Sequence, residues 1–247
     1  MSHDVSYSLI QSLYIQRRFK FMRGAVFLLC LFFSAASFAE SDWHTWGAVV
    51  TTGNFISPVT GMDFWMEGQG RFNDDTSRFN QGIVRAALGY RLAPGTTVWA
   101  GYGFISNSPR NRRDKVIEHR AWQQLTWRPE NPIHGFSLSS RTRLEQRTIE
   151  GFDDLGWRFR QFIKMTHPLP NSELLYWSFW DEIFLNFDDT DWGANSGVDQ
   201  NRIFGGIGIK VASKTKFEIG YMHQFVKRER RDDAHNHILS FTVLHRF

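Results

Sequence analysis

From about residue 63 to the C-terminus, apolar and polar residues alternate with a period of two, and many of the polar members are arginine or glutamate. In 80–92, Gly82, Val84, Ala86, Leu88, Tyr90 and Leu92 share one face, while Gln81, Arg85 and Arg91 share the other. In 136–149, Phe136, Leu138, Thr142 and Leu144 oppose Ser137, Ser139, Arg141, Arg143, Glu145 and Arg147. In 156–169, Trp157, Phe159, Ile163 and Met165 oppose Arg158, Arg160 and Lys164. Period two places each set on its own side of a sheet. A soluble antiparallel sheet with one wet face is one way to accommodate this. Against it, the apolar faces are aromatic, and the chain offers no amphipathic helix to cover them. A single sheet closed on itself, apolar outside and polar inside, satisfies every segment at once.

The alternating segments are 43–52, 63–72, 80–92, 96–106, 116–128, 136–149, 156–169, 174–187, 200–212, 215–226 and 237–247. Breaks at 92–96, 129–135, 168–173 and 212–215 are compact or proline-containing, whereas 107–115, 150–155, 188–199 and 227–236 are longer and more charged. Outer-membrane barrels have short periplasmic turns and longer external loops. The ten segments from 63 onward therefore predict a closed antiparallel transmembrane β-barrel of ten strands, with 63–247 as the barrel domain and its last strand ending in the periplasm. Residues 40–62 remain as a separate N-terminal segment, either periplasmic or plug-like, or an extra strand of a 12-stranded alternative.

The first 39 residues have a different character. Arg17, Arg18, Lys20 and Arg23 precede an apolar run from Ala25 to Phe33, and Ser37 and Ala39 supply small residues for cleavage after Ala39. This reads as a signal peptide over 1–39, with Met22 as an alternative start; the run is too short to span a bilayer as a helix. Four cations against Asp4 place three of the chain's four net positive charges in this leader. The remainder is near balance, which argues against a nucleic-acid partner, whose recognition needs a basic face on the folded part. Cys30, the single cysteine, lies in the leader, so the exported chain has no disulfide to stabilise it. Aromatic abundance (10 Trp and 23 Phe) with only 42% hydrophobic residues fits a sheet with one apolar face better than a bundle of membrane helices.

The chain ends in an alternating strand whose outward set is Leu239, Phe241, Val243, His245 and Phe247. A terminal phenylalanine on such a strand resembles the C-terminal signal by which bacterial outer-membrane barrels are handed to their assembly machinery, with Phe241, Val243 and Phe247 as its elements; His245 departs from the usual apolar residue there. Longer stretches, among them Glu67-Gly-Gln-Gly-Arg71, Glu118-His-Arg-Ala-Trp-Gln-Gln124, Arg141-Thr-Arg-Leu-Glu-Gln-Arg147 and Asp199-Gln-Asn-Arg202, resemble a bacterial family catalogued as domain-of-unknown-function family 2490. The resemblance implies an exported outer-membrane barrel in contact with lipid and lipopolysaccharide, and it implies no activity.

By alternation, Glu67, Arg71, Arg85, Glu118, Arg120, Arg141, Arg143, Glu145, Arg147, Arg158, Arg160, Glu182, Arg202 and Glu218 point into the lumen. Arginine and glutamate there can form bidentate pairs that fill a narrow barrel in place of an apolar core. The same residues could line a constriction selecting small anions, since arginine outnumbers glutamate. His119, Ser139 and Ser140 are candidates for enzymatic chemistry without a spacing that fixes a triad. His235 and His237 lack the further ligands a metal needs, and no cofactor motif is present. Asp188, Asp189 and Asp191 miss the calcium-loop spacing and are read as contacts for cations at a lipopolysaccharide surface. Trp99, Tyr102, Trp122, Trp127, Trp157, Trp177 and Trp180 are assigned to interfacial girdles. The expected function is an outer-membrane barrel, structural or a narrow pore. An enzyme acting on outer-membrane lipid and a soluble periplasmic lipid carrier are the alternatives.

Overall fold

A computed structural model describes residues 42–54, 61–110, 114–229 and 232–247. The signal peptide, the alternative start and Cys30 lie outside these residues, as does part of 40–62. The described residues are all-β and contain no helix. Eleven strands close into one barrel: β1 (Asp42–Asn54), β2 (Met62–Asn73), β3 (Arg78–Ala93), β4 (Thr96–Asn107), β5 (Val116–Trp127), β6 (Ser137–Ile149), β7 (Gly156–Pro168), β8 (Leu175–Asn186), β9 (Gly197–Ala212), β10 (Thr215–Val226) and β11 (Ala234–Arg246).

The ten segments from 63 onward are β2 to β11, and consecutive ones pair antiparallel. The expectation of ten or twelve strands, all antiparallel, needs correction at 43–52. That stretch is β1, which inserts between β2 and β11 and runs parallel to β11, with Trp43 opposite His237 and Thr52 opposite Arg246. Its amides are thereby paired on both edges, so the barrel has no free edge. One parallel seam makes the strand number odd and puts Asp42 and Phe247 at opposite ends of the barrel. Asp42 starts at the end bearing the links after β2, β4, β6, β8 and β10, and Phe247 lies at the other.

Link length separates the two ends less sharply than expected. At the Phe247 end, β3–β4 and β9–β10 turn through two residues each, but 128–136 is as long as the links opposite. An Ile133–Phe136 bridge keeps it compact. Gly95 in the β3–β4 turn has φ of 71°, and a Cβ there would stand 2.0 Å from the Arg128 carbonyl oxygen, so no side chain fits. At the Asp42 end, the β2–β3 turn holds Asp74 and Asp75 in the left-handed region that Asp tolerates (φ 51° and 52°).

Val84, Leu88, Tyr90, Tyr102, Trp127, Ile163, Trp177 and Ile203 are exposed on the outer surface. Their face also carries polar residues on β5 to β9, and these pair laterally. Gln123 and Gln146 exchange amide bonds (2.9 and 3.2 Å), Gln161 accepts from Thr142 (2.7 Å) and donates to Ser140 (2.9 Å), and Asn201 donates to Asp181 (3.0 Å).

Candidate functional site

Glu145 is fully buried at the middle of the barrel (0% exposed). It lies directly across from Arg158 in the β6–β7 ladder, next to the like-charged pair Arg143↔Arg160. Two adjacent guanidinium groups on one ladder would repel, and the carboxylate between them resolves this. Glu145 accepts from Arg158 Nη2 (2.7 Å), Arg158 Nε (3.1 Å) and Arg160 Nη1 (2.6 Å), with Arg143 Nη1 at 3.5 Å. Arg160 also donates through Nη2 and Nε to Glu182 (2.6 and 3.1 Å), which accepts from Arg141 at 2.8 Å. One guanidinium on β7 thus joins a carboxylate from β6 to one from β8.

A second like-charged pair, Arg120↔Arg147, is bridged in the same way. Glu118 takes a bidentate contact from Arg120 (2.8 Å twice) and one from Arg147 Nε (2.6 Å). Glu67 sits opposite Arg85 and accepts from its Nη1 at 2.6 Å, with Trp65 and Gln69 also donating. Lower in the lumen, Glu218 accepts from Lys164 at 2.6 Å through each oxygen and from the Tyr176 hydroxyl at 2.9 Å. Of the fourteen residues assigned to the lumen from sequence, Arg71 and Arg141 are half-buried and the other twelve are buried. Sequence reasoning left Lys164, Tyr176 and Asp199 out of this set. Lys164 shares the alternating face of Arg158 and Arg160, so the signal was present.

The aromatic assignment needs correction. Tyr102, Trp127, Trp157 and Trp177 are exposed on the outer wall, but Trp99 and Trp122 are buried inside, and Trp180 stacks on buried Phe204 at 5.1 Å. Arg143 lies 4.1 Å over the Trp122 ring. Three inward rings, Trp99, Trp122 and Tyr176, rest on a glycine of the neighbouring strand. Gly101 is paired with Trp122 and Gly208 with Tyr176, and a Cβ would come within 2.4 Å of the first ring and 2.0 Å of the second. Alternating large and missing side chains is how a small barrel fills its interior. Trp122, Arg143, Glu145 and Phe184, each 0–1% exposed, form a packed floor in the lumen.

Above this floor, towards the Asp42 end, a cavity of about 450 Å³ reaches from Arg85 and Arg160 to the Trp192–Ala194 stretch of the β8–β9 link. Its mouth is shaped by side-chain carboxylates accepting backbone amides. Asp154 accepts from Asp191 N (2.7 Å), Asp191 from Asp153 N (3.0 Å), and Asp188 from Trp157 N (2.8 Å). Asp189 accepts from Ser196 N at 2.7 Å, which holds its exposed carboxyl below the usual carboxylate range. Trp192 is thereby fixed over Arg147, with Cζ 4.7 Å from the ring.

The remaining sequence candidates fall elsewhere. His119 is on the outer wall, between the Tyr102 hydroxyl at Nδ1 and Glu150 at Nε2 (3.1 Å), beside a groove of about 470 Å³ between the β4–β5 and β6–β7 links. Ser140 sits on β6 eight residues from Thr148, the partner of His119. That is roughly 26 Å along the strand, so the two share no site. His235 meets His223 (3.2 Å) and His237 meets Tyr221 (2.6 Å). Among the described residues no group of three or more His, Cys, Asp or Glu converges as a metal-ligand set.

Fold and site together define a closed β-barrel whose interior combines an ion-pair network with buried aromatic and aliphatic side chains. The model of the family described as Protein of unknown function (DUF2490) matches residues 43–235. An uncharacterised protein of Methylorubrum extorquens is 30% identical over 225 residues, covering 89% of this chain and 95% of that protein. The chain belongs to the DUF2490 family.

Proposed function

We propose that this protein is an integral barrel of the bacterial outer membrane, closed to through-flow at mid-height. The observation that carries this is the distribution of side chains across the wall. Exposed Val84, Leu88, Tyr102 and Ile203 face outward, and buried Arg143, Glu145 and Arg158 face inward. A soluble lipid carrier needs the inverse distribution. In a membrane every backbone amide must be paired within the protein, and closure through β1 supplies this. The lateral pairs of Gln123, Gln161 and Asn201 do the same for polar side chains on the outer wall. The Asp42 end, with its charged links, faces lipopolysaccharide. The Phe247 end faces the periplasm, where Phe241, Val243 and Phe247 present the element read by the assembly machinery.

Cell fractionation and planar-bilayer recording test the reading together. Expected are recovery in the detergent-resistant outer-membrane fraction, heat-dependent gel migration, and no conductance steps. A freely soluble product, or steady open-channel current from the wild-type protein, refutes it.

A second reading, an enzyme acting on outer-leaflet lipid, is favoured by the Glu150–His119–Tyr102 hydrogen-bond chain beside its groove. Mass spectrometry of lipids from expressing cells tests it; an unchanged lipid profile, identical to that of His119→Ala, removes this reading.

A further inference from the structure

We propose that the lumen chamber at the Asp42 end is a binding site for a small, multiply charged oxyanion, held by Arg71 and Arg202 beside Trp46. The inference goes beyond the membrane assignment and stands on the lumen geometry alone.

Arg71 is served only by neutral acceptors, Gln81 Oε1 at 2.7 Å and Gln69 Oε1 at 2.8 Å. Among the described residues no carboxylate comes within 4 Å of it, a distance at which each other lumen arginine meets one. Arg202 has its nearest carboxylate, Glu182, at 3.8 Å, and the other oxygen of that carboxylate already accepts from Arg141 and Arg160. Its remaining bond is to Gln200 at 3.1 Å. The two guanidinium groups lie over the same indole, with Cζ 3.8 Å (Arg71) and 4.9 Å (Arg202) from Trp46. An indole face attracts each cation but leaves their mutual repulsion uncompensated.

The shortage of acceptors extends through the whole lumen network. Nine arginines and Lys164 face five glutamates and Asp199 in the network, a surplus of four positive charges. Nε of Arg71, Arg85 and Arg202, and Nη2 of Arg143, are buried without a hydrogen-bond partner among the described residues. All are donors. A polyvalent anion with several oxygens supplies what the wall lacks, because guanidinium forks match paired oxygens in geometry and charge. The chamber of about 450 Å³ has room for one, and its mouth is held in shape by the Asp154 and Asp191 amide contacts.

Titration calorimetry of the purified full-length protein in detergent, with sodium pyrophosphate as the probe, is the test. Expected is saturable one-to-one binding that persists at matched ionic strength in chloride. Arg71→Gln and Arg202→Gln should each weaken it by about tenfold or more, while Arg91→Gln at the opposite end should not. Tryptophan fluorescence gives a second readout: the pyrophosphate-induced change in the wild type should shrink in Trp46→Phe, which keeps an aromatic face, to what Trp192 at the mouth contributes. Lipopolysaccharide micelles as competitor separate the sources. Displacement of pyrophosphate assigns the oxyanion to a lipid headgroup, and its failure assigns it to a free solute. Equal heats for chloride and pyrophosphate, or affinity and fluorescence unchanged in all three variants, overturn the proposal.

Discussion

Replacing Glu145 with glutamine removes one negative charge from the centre of the lumen and preserves side-chain size. Three guanidinium groups converge on this carboxylate, at 2.6 Å (Arg160), 2.7 Å (Arg158) and 3.5 Å (Arg143), with no solvent access. Removing one partner of a buried ion pair typically costs about 3–5 kcal/mol, because the charge left behind stays desolvated. Two features place this case near the lower bound. Arg160 keeps Glu182 at 2.6 Å and Arg158 keeps Asp199 at 3.2 Å, and the glutamine carbonyl still accepts. A loss of about 3 kcal/mol, with a urea dependence of about 1–3 kcal/mol/M, lowers the unfolding midpoint by roughly 1–3 M. The assay is urea unfolding of the lipid-reconstituted barrel followed by tryptophan fluorescence. Arg110→Gln, at the rim and 76% exposed with Asp74 at 3.6 Å, serves as control and should change stability by about 0–1 kcal/mol. Adding Arg143→Gln to Glu145→Gln should recover part of the loss, since Glu145 is the one carboxylate within 4 Å of Arg143 among the described residues and the single variant orphans that cation. A Glu145→Gln midpoint indistinguishable from that of Arg110→Gln, or a double variant that loses the full sum, would show that the lumen pairs are not desolvated and would refute the reasoning.

Trp122→Ala removes a fully buried ring from the floor of the chamber; it should cost about 3–5 kcal/mol and produce conductance steps absent from the wild type. A folded variant that stays silent in planar bilayers would locate the barrier elsewhere. Because β1 and β11 are parallel, an epitope placed directly before Asp42 should bind antibody on intact cells, and one after Phe247 only after permeabilisation; labelling of both under the same condition contradicts the seam. Deleting Phe247, which also donates its backbone amide to Thr52 O at 2.8 Å, should reduce the heat-modifiable species in membranes, read on gels of unheated samples. The Asp189 carboxyl is held below its ordinary value by the Ser196 amide. Its contribution to loop order is therefore present above the unfolded value of about 3.9 and lost as pH falls through the lower folded value. Exchange of the Ser196 amide should accelerate only in that acid window, and acceleration that begins near neutrality would contradict it.

Much of the site was legible from residue spacing. Arg141, Arg143, Glu145 and Arg147 fall on one face by position alone, because a strand has no other way to display every second residue. The same rule placed His119 outward and Glu118 inward. Residue type points Trp99 and Trp122 to a membrane interface, where tryptophan is common, whereas parity puts Trp122 on the face of Arg120 and Gln124, and Trp99 pairs with Gln124 across the ladder. Their lumen place depends on Gly89 and Gly101 standing opposite, a relation between strands that a linear pattern does not contain.

The order of strands β2 to β11, their two faces and the charges hidden within follow from local alternation, which is set by backbone pleat and read directly from the chain. Strand count, closure and pairing of charges do not. The segment at Asp42–Asn54 alternates no differently whether it hangs free, forms a hairpin or lies parallel to β11, since parallel and antiparallel strands share the same pleat. Only the need to pair the edges of β2 and β11 in three dimensions decides that. Likewise, Arg71 and Arg158 look alike in sequence, and it is register across neighbouring strands that gives one a carboxylate and leaves the other without.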